Sequence, residues 1–384
     1  MTKDKKVRII TRRAGYNFGS SLQAYAMQQI VYKLGFENKI IDYDECSKNI
    51  KWRIRPFIDD CLFFTMNLAP TISKLVAKKK YKWLADRNTQ KEKFQFFEKE
   101  KLVLTRHKYK SSKAIVKDAK DYDICICGSD QIWSPLLYDP VMFLSFCTNS
   151  KTKTIAYAPS FGINSVETYQ NNIKEFIQRI QFLSVREDQG HTIIKDLTGR
   201  SASVVLDPTL LLKQSDWKKI MVPIKPSEPY ILCYFLGNKY IPHNFITDLQ
   251  ARTQCKVINI CTFRTINTIN GECFSTASPA EFISYIANAN YVCTDSFHGT
   301  IFSILFERQF FTFERFQNEQ ENQNSRIHTL LQKLEASHRL IPYNTISAEN
   351  VLPIDFANLK LHLEANRTFS IQYLKTALEC NNLE

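Results

Sequence analysis

The sequence predicts an α/β protein of two domains, each built around a parallel sheet. The length of 384 residues suggests two domains, at roughly 100–200 residues per domain. Short apolar runs of strand type alternate with segments of helical periodicity, which is typical of parallel α/β folds. A proline-rich link, VPIKPSEP at 222–229, separates two stretches with the same rhythm. It is the best domain boundary in the chain.

The first half opens with a strand, a Gly- and Asn-containing turn, a helix and a second strand, which is the entry to a parallel sheet. Between 50 and 115 the chain is basic, and we expect it to be helical. Continuous apolar runs such as DICIC then indicate buried central strands. Strands are expected at 6–13, 37–44, 121–130, 152–162, 181–187 and 201–212, and helices at 21–35, 166–180 and 191–199.

The second half repeats the pattern. Ser278 and Pro279 suit the N-cap and the first position of one of its helices. Strands are expected at 229–237, 255–263 and 310–315, a strand running into a loop at 291–299, and helices at 244–254, 277–289, 300–309 and 325–336. The predicted domains are therefore 1–222, with the helical insertion at about 50–115, and 229–340. A helical segment, 341–384, is expected to pack back across the first domain.

Composition narrows the functional class. The N-terminus has no secretory signal pattern and no apolar run reaches about 18 residues, so we expect a cytoplasmic protein without a membrane span. The eleven cysteines have no CxxC spacing, and several lie in apolar strand-like runs. We therefore expect buried free thiols, no disulfides and no zinc site.

The net charge of +13 is unevenly distributed. Residues 51–113 carry seventeen Lys and Arg against six Asp and Glu, interleaved with aromatic side chains. One interpretation is a solvated charged face over a helical insertion. The other is a surface for an anionic membrane or a pyrophosphate-linked lipid, at the inner face of the plasma membrane. No nucleic-acid-binding module is recognisable, and we expect no nucleic-acid partner.

Polar residues stand directly after most of the expected strands, where ligands bind in open parallel sheets. We expect them to converge on a cleft between the domains. Gly19 and Gly299 each precede a helix whose N-terminal N–H groups suit phosphate or carboxylate, although either glycine could serve only the turn. The strand-end residues are Asn17, Gly19, Ser20, Gly128, Ser129, Asp130, Gln131, Pro159, Ser160, Phe161, Gly162, Arg186, Glu187, Asp207, Asp295, Ser296, His298, Gly299, Glu314 and Arg315.

Several common motifs are absent: there is no GxxxxGK[ST], no GxGxxG and no HExxH. Two DYD tripeptides occur, at 42–44 and 121–123. The first closes a strand and the second precedes one, at the opposite end from the expected cleft. We therefore expect no metal role for them.

Seven motifs stand in one order along the chain: NFGSSLQAYAMQQ, DICICGSDQIWSP, SFG, SVREDQG, LDPTLLL, TDSFHGTIFSILF and NSRIHTLL. Together they resemble the polysaccharide pyruvyl transferase family over about residues 14–334. The resemblance implies two Rossmann-like domains facing a cleft, similar to the GT-B glycosyltransferases. It implies the acceptor on the first domain and phosphoenolpyruvate, as co-substrate, on the second, with no other cofactor.

The reaction that the resemblance implies is transfer of the pyruvyl group to two hydroxyls of a hexose, as a cyclic ketal. The acceptor would belong to a capsule or other bacterial surface polysaccharide, either polymeric or linked to undecaprenyl pyrophosphate. In related members, an Arg in the SVRE motif and the His of the FHG motif contact the donor, and these match Arg186 and His298. Some members have an Arg where this chain has Ser296, so Arg315 or Arg326 is expected to compensate.

The residue types suggest which side chains bind the donor and which transfer protons. Arg binds oxyanions bidentately, and His and Asp transfer protons near neutral pH. We expect His298 to be the donor-phosphate ligand and general acid, with Asp295 orienting it or binding the acceptor. Asp130 is the candidate general base, with a helix N-cap as the alternative. The donor set is Arg186, His298, Ser296, Gly299, Arg315 and Arg326, and the acceptor set is Asn17, Gly19, Gln23, Ser129, Gln131 and Asp295.

Two other functions stay open at this stage. A GT-B glycosyltransferase would bind a nucleotide sugar and release no phosphate from phosphoenolpyruvate. A noncatalytic glycolipid-binding or scaffold protein would bind sugar equally well after His298→Ala. Because no step of the ketal-forming scheme requires a metal, we expect that reaction to proceed in the presence of a chelator.

Overall fold

The computed structural model describes residues 5–13, 15–44, 73–163, 166, 170–224, 226, 228–237, 240–261, 269–315, 324–342 and 344–380, with only the backbone between 73 and 85. The strands are β1 Val7–Ile10, β2 Asn38–Tyr43, β3 Leu104–Tyr109, β4 Ile124–Cys127, β5 Lys153–Ala156, β6 Phe182–Val185, β7 Ser203–Val204, β8 Tyr230–Tyr234, β9 Lys256–Ile260, β10 Glu272–Phe274, β11 Tyr291–Thr294, β12 Gln309–Phe313 and β13 Leu340–Ile341. The helices are α1 Phe18–Lys33, α2 Ser73–Lys101, α3 Ser112–Ala119, α4 Gln170–Arg179, α5 Asp188–Thr198, α6 Pro208–Leu211, α7 Gln214–Lys218, α8 His243–Thr253, α9 Pro279–Asn288, α10 Phe297–Leu305, α11 Ser325–Lys333 and α12 Phe356–Glu379.

The described strands form two parallel sheets, which define a first lobe (β1–β7) and a second lobe (β8–β13). The first sheet has the order β3-β2-β1-β4-β5-β6-β7, and the second has the order β10-β9-β8-β11-β12-β13. Counted within each lobe, both contain the 3-2-1-4-5-6 order of a Rossmann fold, and the first sheet has β7 as a seventh strand after it. The strand order reverses between β1 and β4 and again between β8 and β11. A ligand site is therefore expected at the carboxyl ends of these four strands.

The central strands are apolar because helices cover both faces of each sheet. All four residues of β4, Ile124–Cys127, are buried, and so are all five of β8, Tyr230–Tyr234. Continuous burial is typical of parallel strands packed on both sides. The predicted pair of parallel α/β domains is confirmed, whereas the exact domain limits stay a prediction.

Helix α1 joins the two lobes through a shared hydrophobic core. Thirteen of its sixteen residues are buried. Its first residue, Phe18, stacks on Phe282 of α9 with ring centroids 4.6 Å apart, and Trp217 packs edge-on against Phe302 of α10 at 4.9 Å. Such aromatic pairs contribute roughly 0.5–1.5 kcal/mol beyond their buried area. The two lobes are therefore held in a fixed relation next to the carboxyl ends of β1 and β8.

The basic segment is not helical throughout. After α2 the chain forms β3, which pairs with β2 at the edge of the first sheet, with Tyr109 opposite Tyr43. Charged side chains are common on edge strands. Here Arg106, His107 and Lys108 interrupt the alternation of apolar and polar residues that would have predicted a strand. Residues 45–72 of the segment lie outside the described residues.

Helix α10 begins one turn earlier than the sequence suggested. The Oγ of Ser296 accepts a hydrogen bond from the Gly299 N–H at 3.2 Å, which caps the helix at 296. His298 therefore lies in the first turn of a helix and not in a loop. The spacing of apolar residues, from which the helix was predicted, contains no information on this capping hydrogen bond.

The expectation of no disulfides is wrong, because Cys261 and Cys273 are disulfide-bonded. The bond joins the end of β9 to β10, which pairs with it. The strand pattern did not predict this pairing, since β10 has only three residues. The other cysteines within the described residues are free, and Cys125, Cys127, Cys233 and Cys293 are buried, as predicted.

Helix α12 follows the second lobe in sequence but packs on the first. Leu206 N donates to the Oγ of Ser370 at 2.9 Å, and the Nε of Arg367 donates to the Leu210 carbonyl at 2.7 Å. Lys153, buried in β5, donates to the Leu378 carbonyl at the end of the helix. The helix therefore supports the segment between β7 and α6.

Candidate active site

The carboxyl ends of β1, β4, β6 and β7 meet the N-terminus of α10 at a buried polar cluster. Four titratable side chains lie at its centre: Asp130, Arg186, Asp207 and His298. Each is at most 8% exposed. The first three belong to the first lobe, and His298 belongs to the second. The sequence-derived convergence of strand ends is therefore present in the structure.

Asp130 is held by the loop after β4 and by α1. The Oγ of Ser20 donates to its Oδ2 at 2.5 Å, and the Gln131 N–H donates to its Oδ1 at 2.8 Å. The residue has a φ of +73°, a left-handed conformation that Asp tolerates better than most side chains. Asp130 is thus a fixed carboxylate at the switch point of the first sheet.

Arg186 follows β6 and is surrounded by three carboxylates. Its Nη1 donates to Asp207 Oδ2 at 2.8 Å, while its Nη2 lies 3.9 Å from Asp130 and its Nε lies 3.9 Å from Glu187. The ring of Phe297, from the second lobe, covers the guanidinium at 4.5 Å. Within the part of the chain that the structure describes, Nε and Nη2 have no hydrogen-bond partner.

His298 approaches the same carboxylate from the other lobe. Its Nε2 lies 3.7 Å from Asp207 Oδ2 and makes no hydrogen bond to any described residue. Its Nδ1 edge lies against Gly19 at the start of α1, where a Cβ atom would come within 2.0 Å of Nδ1. Only glycine leaves room for the imidazole at this point.

Burial and charge act in opposite directions on the carboxyl groups. Burial favours the neutral form of Asp207, but His298 and Arg186 outweigh it and hold the pKa of Asp207 well below its usual range. Burial is likewise outweighed at Asp130 by Arg186 and His298, so its pKa is lowered. For Glu187 burial dominates, and its pKa is raised. The cluster thus contains two firmly ionised carboxylates.

Arg326 and Arg315 extend the positive side of the cluster. Arg326 of α11 lies 5.7 Å from the Phe297 ring, so this ring lies near two guanidinium groups. Burial, followed by repulsion from Arg186, lowers the pKa of Arg326 to about 9. Arg315 instead donates from Nε to Asp295 Oδ2 at 2.9 Å.

Asp295 does not orient His298. Its carboxylate accepts hydrogen bonds from the Leu236 and Gly237 N–H groups at 2.7 and 2.9 Å, in addition to Arg315. These contacts tie the loop after β8 to the end of β11. The partners are backbone amides of a loop that is distant in sequence, which no strand-end rule predicts.

Gln23 and Ser129 lie inside the first lobe, in contrast to the expected acceptor contacts. Gln23 is fully buried, and its amide bonds the Arg12 and Ser20 carbonyls, Thr11 and the Ser129 N–H. The Oγ of Ser129, also fully buried, lies 2.8 Å from the Ala158 carbonyl and 3.0 Å from Asp207. These groups position the loop and Asp207.

Two of the expected ligand-facing groups serve as helix caps. Exposed Asn17 accepts a hydrogen bond from the Ser20 N–H at 3.3 Å, and Ser296 accepts one from Gly299, whose N–H therefore does not face the cleft. Gln131 packs on Gly162, where a Cβ would meet its amide. The ligand-binding roles of Asn17, Gly19, Gln131, Arg315 and Arg326 stay predictions.

Sequence reasoning named Asp207, Glu187 and Ser20 only as strand-end residues and gave them no role in the site. The signal for Asp207 was its place in the LDP motif, before a proline that starts α6. Phe297 gave no signal, because an apolar residue beside His298 is indistinguishable from core. Its contact with Arg186 depends on the arrangement of the lobes.

Among the described residues, no group of three or more His, Cys, Asp or Glu side chains is placed to hold a metal ion. No helix of the same residues is long and apolar enough to span a bilayer.

A family model described as polysaccharide pyruvyl transferase matches residues 17–315, which is more than half of the chain and includes Asp130, Arg186, Asp207 and His298. The chain belongs to the polysaccharide pyruvyl transferase family. No curated protein matches the chain in a search of individual sequences.

Solved structures of similar fold include an epimerase and a glycosyltransferase. A putative UDP-N-acetylglucosamine 2-epimerase from Listeria monocytogenes aligns with a TM-score of 0.50 and 11% identity, covering 99% of this pyruvyl transferase family member and 92% of the epimerase. The glycosyltransferase SnogD from Streptomyces nogalater aligns with a TM-score of 0.46 and 9% identity, over 98% of each chain. At such identities the likeness concerns the fold alone. The predicted GT-B-like fold is confirmed.

Proposed function

We propose that this pyruvyl transferase moves the pyruvyl group of phosphoenolpyruvate onto two hydroxyls of a hexose, forming a cyclic ketal in a bacterial surface polysaccharide. The single observation that carries the proposal is the set of buried N–H donors facing the cleft. Arg186 Nε, Arg186 Nη2 and His298 Nε2 have no hydrogen-bond partner among the described residues. An unsatisfied buried donor is costly, at about 1–3 kcal/mol each, and an oxyanionic ligand would satisfy all three.

The donor has two oxyanionic groups, and the residues supply two kinds of positive partner. The Nε and Nη2 edge of Arg186 suits a planar carboxylate, which accepts two parallel hydrogen bonds. The imidazole of His298 suits the phosphate. Arg326, buried on the same side of the cluster, adds positive charge.

The reaction has two steps. A sugar hydroxyl first adds to C2 of the donor, forming a C–O bond, while C3 takes up a proton and becomes a methyl group. We assign that proton to His298 as general acid, and the proton of the attacking hydroxyl to Asp130. A second hydroxyl then displaces phosphate from C2, which closes the ketal, and the proton of that hydroxyl leaves with the phosphate. Arg186 and His298 lower the pKa of Asp130, so its carboxylate is unprotonated at neutral pH, as a general base must be.

The acceptor would lie on the first lobe and be either polymeric or linked to undecaprenyl pyrophosphate. A run of basic side chains on the edge strand β3, on helix α3 and between them supports a lipid-linked acceptor. Its members are Arg106, Lys108, Lys110, Lys113 and Lys117. Such a surface attracts anionic lipid by about 1 kcal/mol per basic residue. Co-sedimentation with vesicles tests this association: binding should require anionic lipid, and binding independent of lipid charge would remove the argument.

Release of inorganic phosphate from phosphoenolpyruvate tests the proposal. The acceptors are lipid-linked or nitrophenyl galactosides, mannosides and hexosamines. Arg186→Ala and His298→Ala should each lower the rate at least about 100-fold, since each removes a donor group that faces the developing charge. Arg252→Ala, which alters an exposed arginine on α8, should keep the wild-type rate. Saturable nucleotide-sugar binding without phosphate release would favour a glycosyltransferase instead.

A further inference from the structure

Asp207 occupies the point where the two lobes and three strand ends meet. It lies just after β7 and is 1% exposed. Its Oδ1 accepts hydrogen bonds from the N–H and the Oγ of Thr209, at 3.0 and 2.7 Å. Its Oδ2 faces Arg186, Ser129 and His298, at 2.8, 3.0 and 3.7 Å. One oxygen is therefore fixed by the chain, and the other is directed at the cluster.

The contact with Asp207 determines which edge of the Arg186 guanidinium is available. Asp207 takes Nη1, and the ring of Phe297 covers one face of the group. The remaining edge, Nε and Nη2, is the one that binds an oxyanion through two parallel hydrogen bonds. The carboxylates nearest to that edge, Asp130 and Glu187, lie at 3.9 Å, beyond hydrogen-bond distance.

The same oxygen also draws His298 toward Arg186. The Arg186 guanidinium and the His298 imidazole both lie within 4 Å of Asp207 Oδ2, although they come from opposite lobes. A guanidinium and a protonated imidazole that approach the same oxygen would repel each other without the carboxylate. Ionised Asp207 removes that repulsion, and the neighbouring positive groups keep its pKa low.

We propose that Asp207 is a positioning residue, which holds the Nε–Nη2 edge of Arg186 and the imidazole of His298 around one oxyanion. That this oxyanion is the phosphate or carboxylate of phosphoenolpyruvate rests on the proposed function. The positioning itself concerns any small oxyanion, and inorganic phosphate is a sufficient probe.

The direction in which Asp207→Asn changes phosphate affinity distinguishes a positioning role from a purely electrostatic one. Asp207→Asn removes a negative charge next to the anion site, so a purely electrostatic role predicts tighter phosphate binding. A positioning role predicts weaker binding, because Arg186 and His298 lose the group that holds them. The asparagine oxygen still accepts the hydrogen bond from Thr209 N–H, so the start of α6 is retained.

Phosphate affinity is measured from the rise of Tm with phosphate concentration. For Asp207→Asn we expect phosphate binding at least about tenfold weaker than wild type, because the charge-assisted hydrogen bond from Arg186 to Asp207 is lost. Ser129→Ala, which loses a single contact with Asp207, should weaken binding by about threefold. Asp355→Asn is the matched control, since Asp355 also caps a helix but is exposed; its affinity should equal that of wild type.

The same substitution in an Arg186→Ala background completes the test. If Asp207 acts through Arg186, Asp207→Asn should change phosphate affinity less than about threefold there. Wild-type or tighter binding by Asp207→Asn, or an equal loss in both backgrounds, would overturn the inference. Weaker phosphate binding together with no release of phosphate from phosphoenolpyruvate would leave Asp207 as the positioning residue and defeat only the proposed function.

Discussion

At the scale of single residues, His298 of the second lobe packs against Gly19 of the first. The imidazole occupies space at the N-terminus of α1 that any Cβ atom at position 19 would enter. The glycine has an ordinary backbone conformation, unlike the positive-φ glycines of this chain. Its requirement is therefore steric and concerns the position of His298, not the folding of the turn.

Gly19→Ala should displace His298 and lower the rate of phosphate release at least about tenfold, with Tm close to that of wild type. Gly199→Ala is the complementary control: Gly199 ends α5 at φ +72° in an exposed position with nothing within 4 Å. An alanine there is strained, so the free energy of unfolding should fall by about 1 kcal/mol while the rate is unchanged. Full activity in Gly19→Ala would show that the imidazole need not occupy this place.

Sequence reasoning found some site residues and misplaced others for one physical reason. Parallel strands bring their carboxyl ends to one edge, so Asp130, Arg186 and His298 could be grouped without coordinates. The direction of a loop side chain depends on tertiary contacts instead. Gln23 turns inward because its amide satisfies backbone groups of Arg12, Ser20 and Ser129, and no local pattern records this.

At the scale of elements, α12 links the end of the chain to the active site. It packs on the first lobe, and Arg367 and Ser370 bond the two sides of the segment that contains Asp207. The helix was predicted only as a helical segment, since no sequence pattern states which surface a terminal helix covers. Strands were similarly predictable where they form long apolar runs, as in β4, but not where they are short or charged, as in β10 and β3.

Arg367→Met should lower the free energy of unfolding by about 2 kcal/mol, because the Leu210 carbonyl loses its buried, charged donor. The side-chain volume is similar, so packing is largely kept. The change is measured by chemical denaturation, with Arg252→Met on exposed α8 as the control. Equal stability of Arg367→Met and wild type would mean that α12 does not support this segment.

At the scale of the whole molecule, the two lobes meet around a cluster in which cations and carboxylates alternate. Folding lowers the pKa of Asp130 and Asp207 below the ordinary value of 3.8. Their contribution to stability is therefore fully present above pH 3.8 and is lost as the pH falls through their folded values. Glu187 acts in the opposite direction, since its pKa is raised: its contribution is greatest below 4.5.

Asp207→Asn should be less stable than wild type at pH 7, by about 3 kcal/mol, since buried Arg186 loses its closest partner. This difference in the free energy of unfolding should shrink as the pH is lowered below 3.8, because the unfolded wild-type chain then takes up a proton at Asp207 that the folded protein does not. Denaturation in urea at pH 7, 4 and 3 measures it. A difference that stays constant over this range would contradict the ionised state assigned to Asp207.

The central claim is that Arg186 and His298, from opposite lobes, bind the same donor molecule. A crystal structure with phosphoenolpyruvate bound measures this directly. The account predicts that Arg186 Nε and Nη2 and His298 Nε2 all lie within about 3.2 Å of oxygen atoms of one phosphoenolpyruvate. A bound donor that contacts only one lobe, or lies away from both side chains, would contradict it.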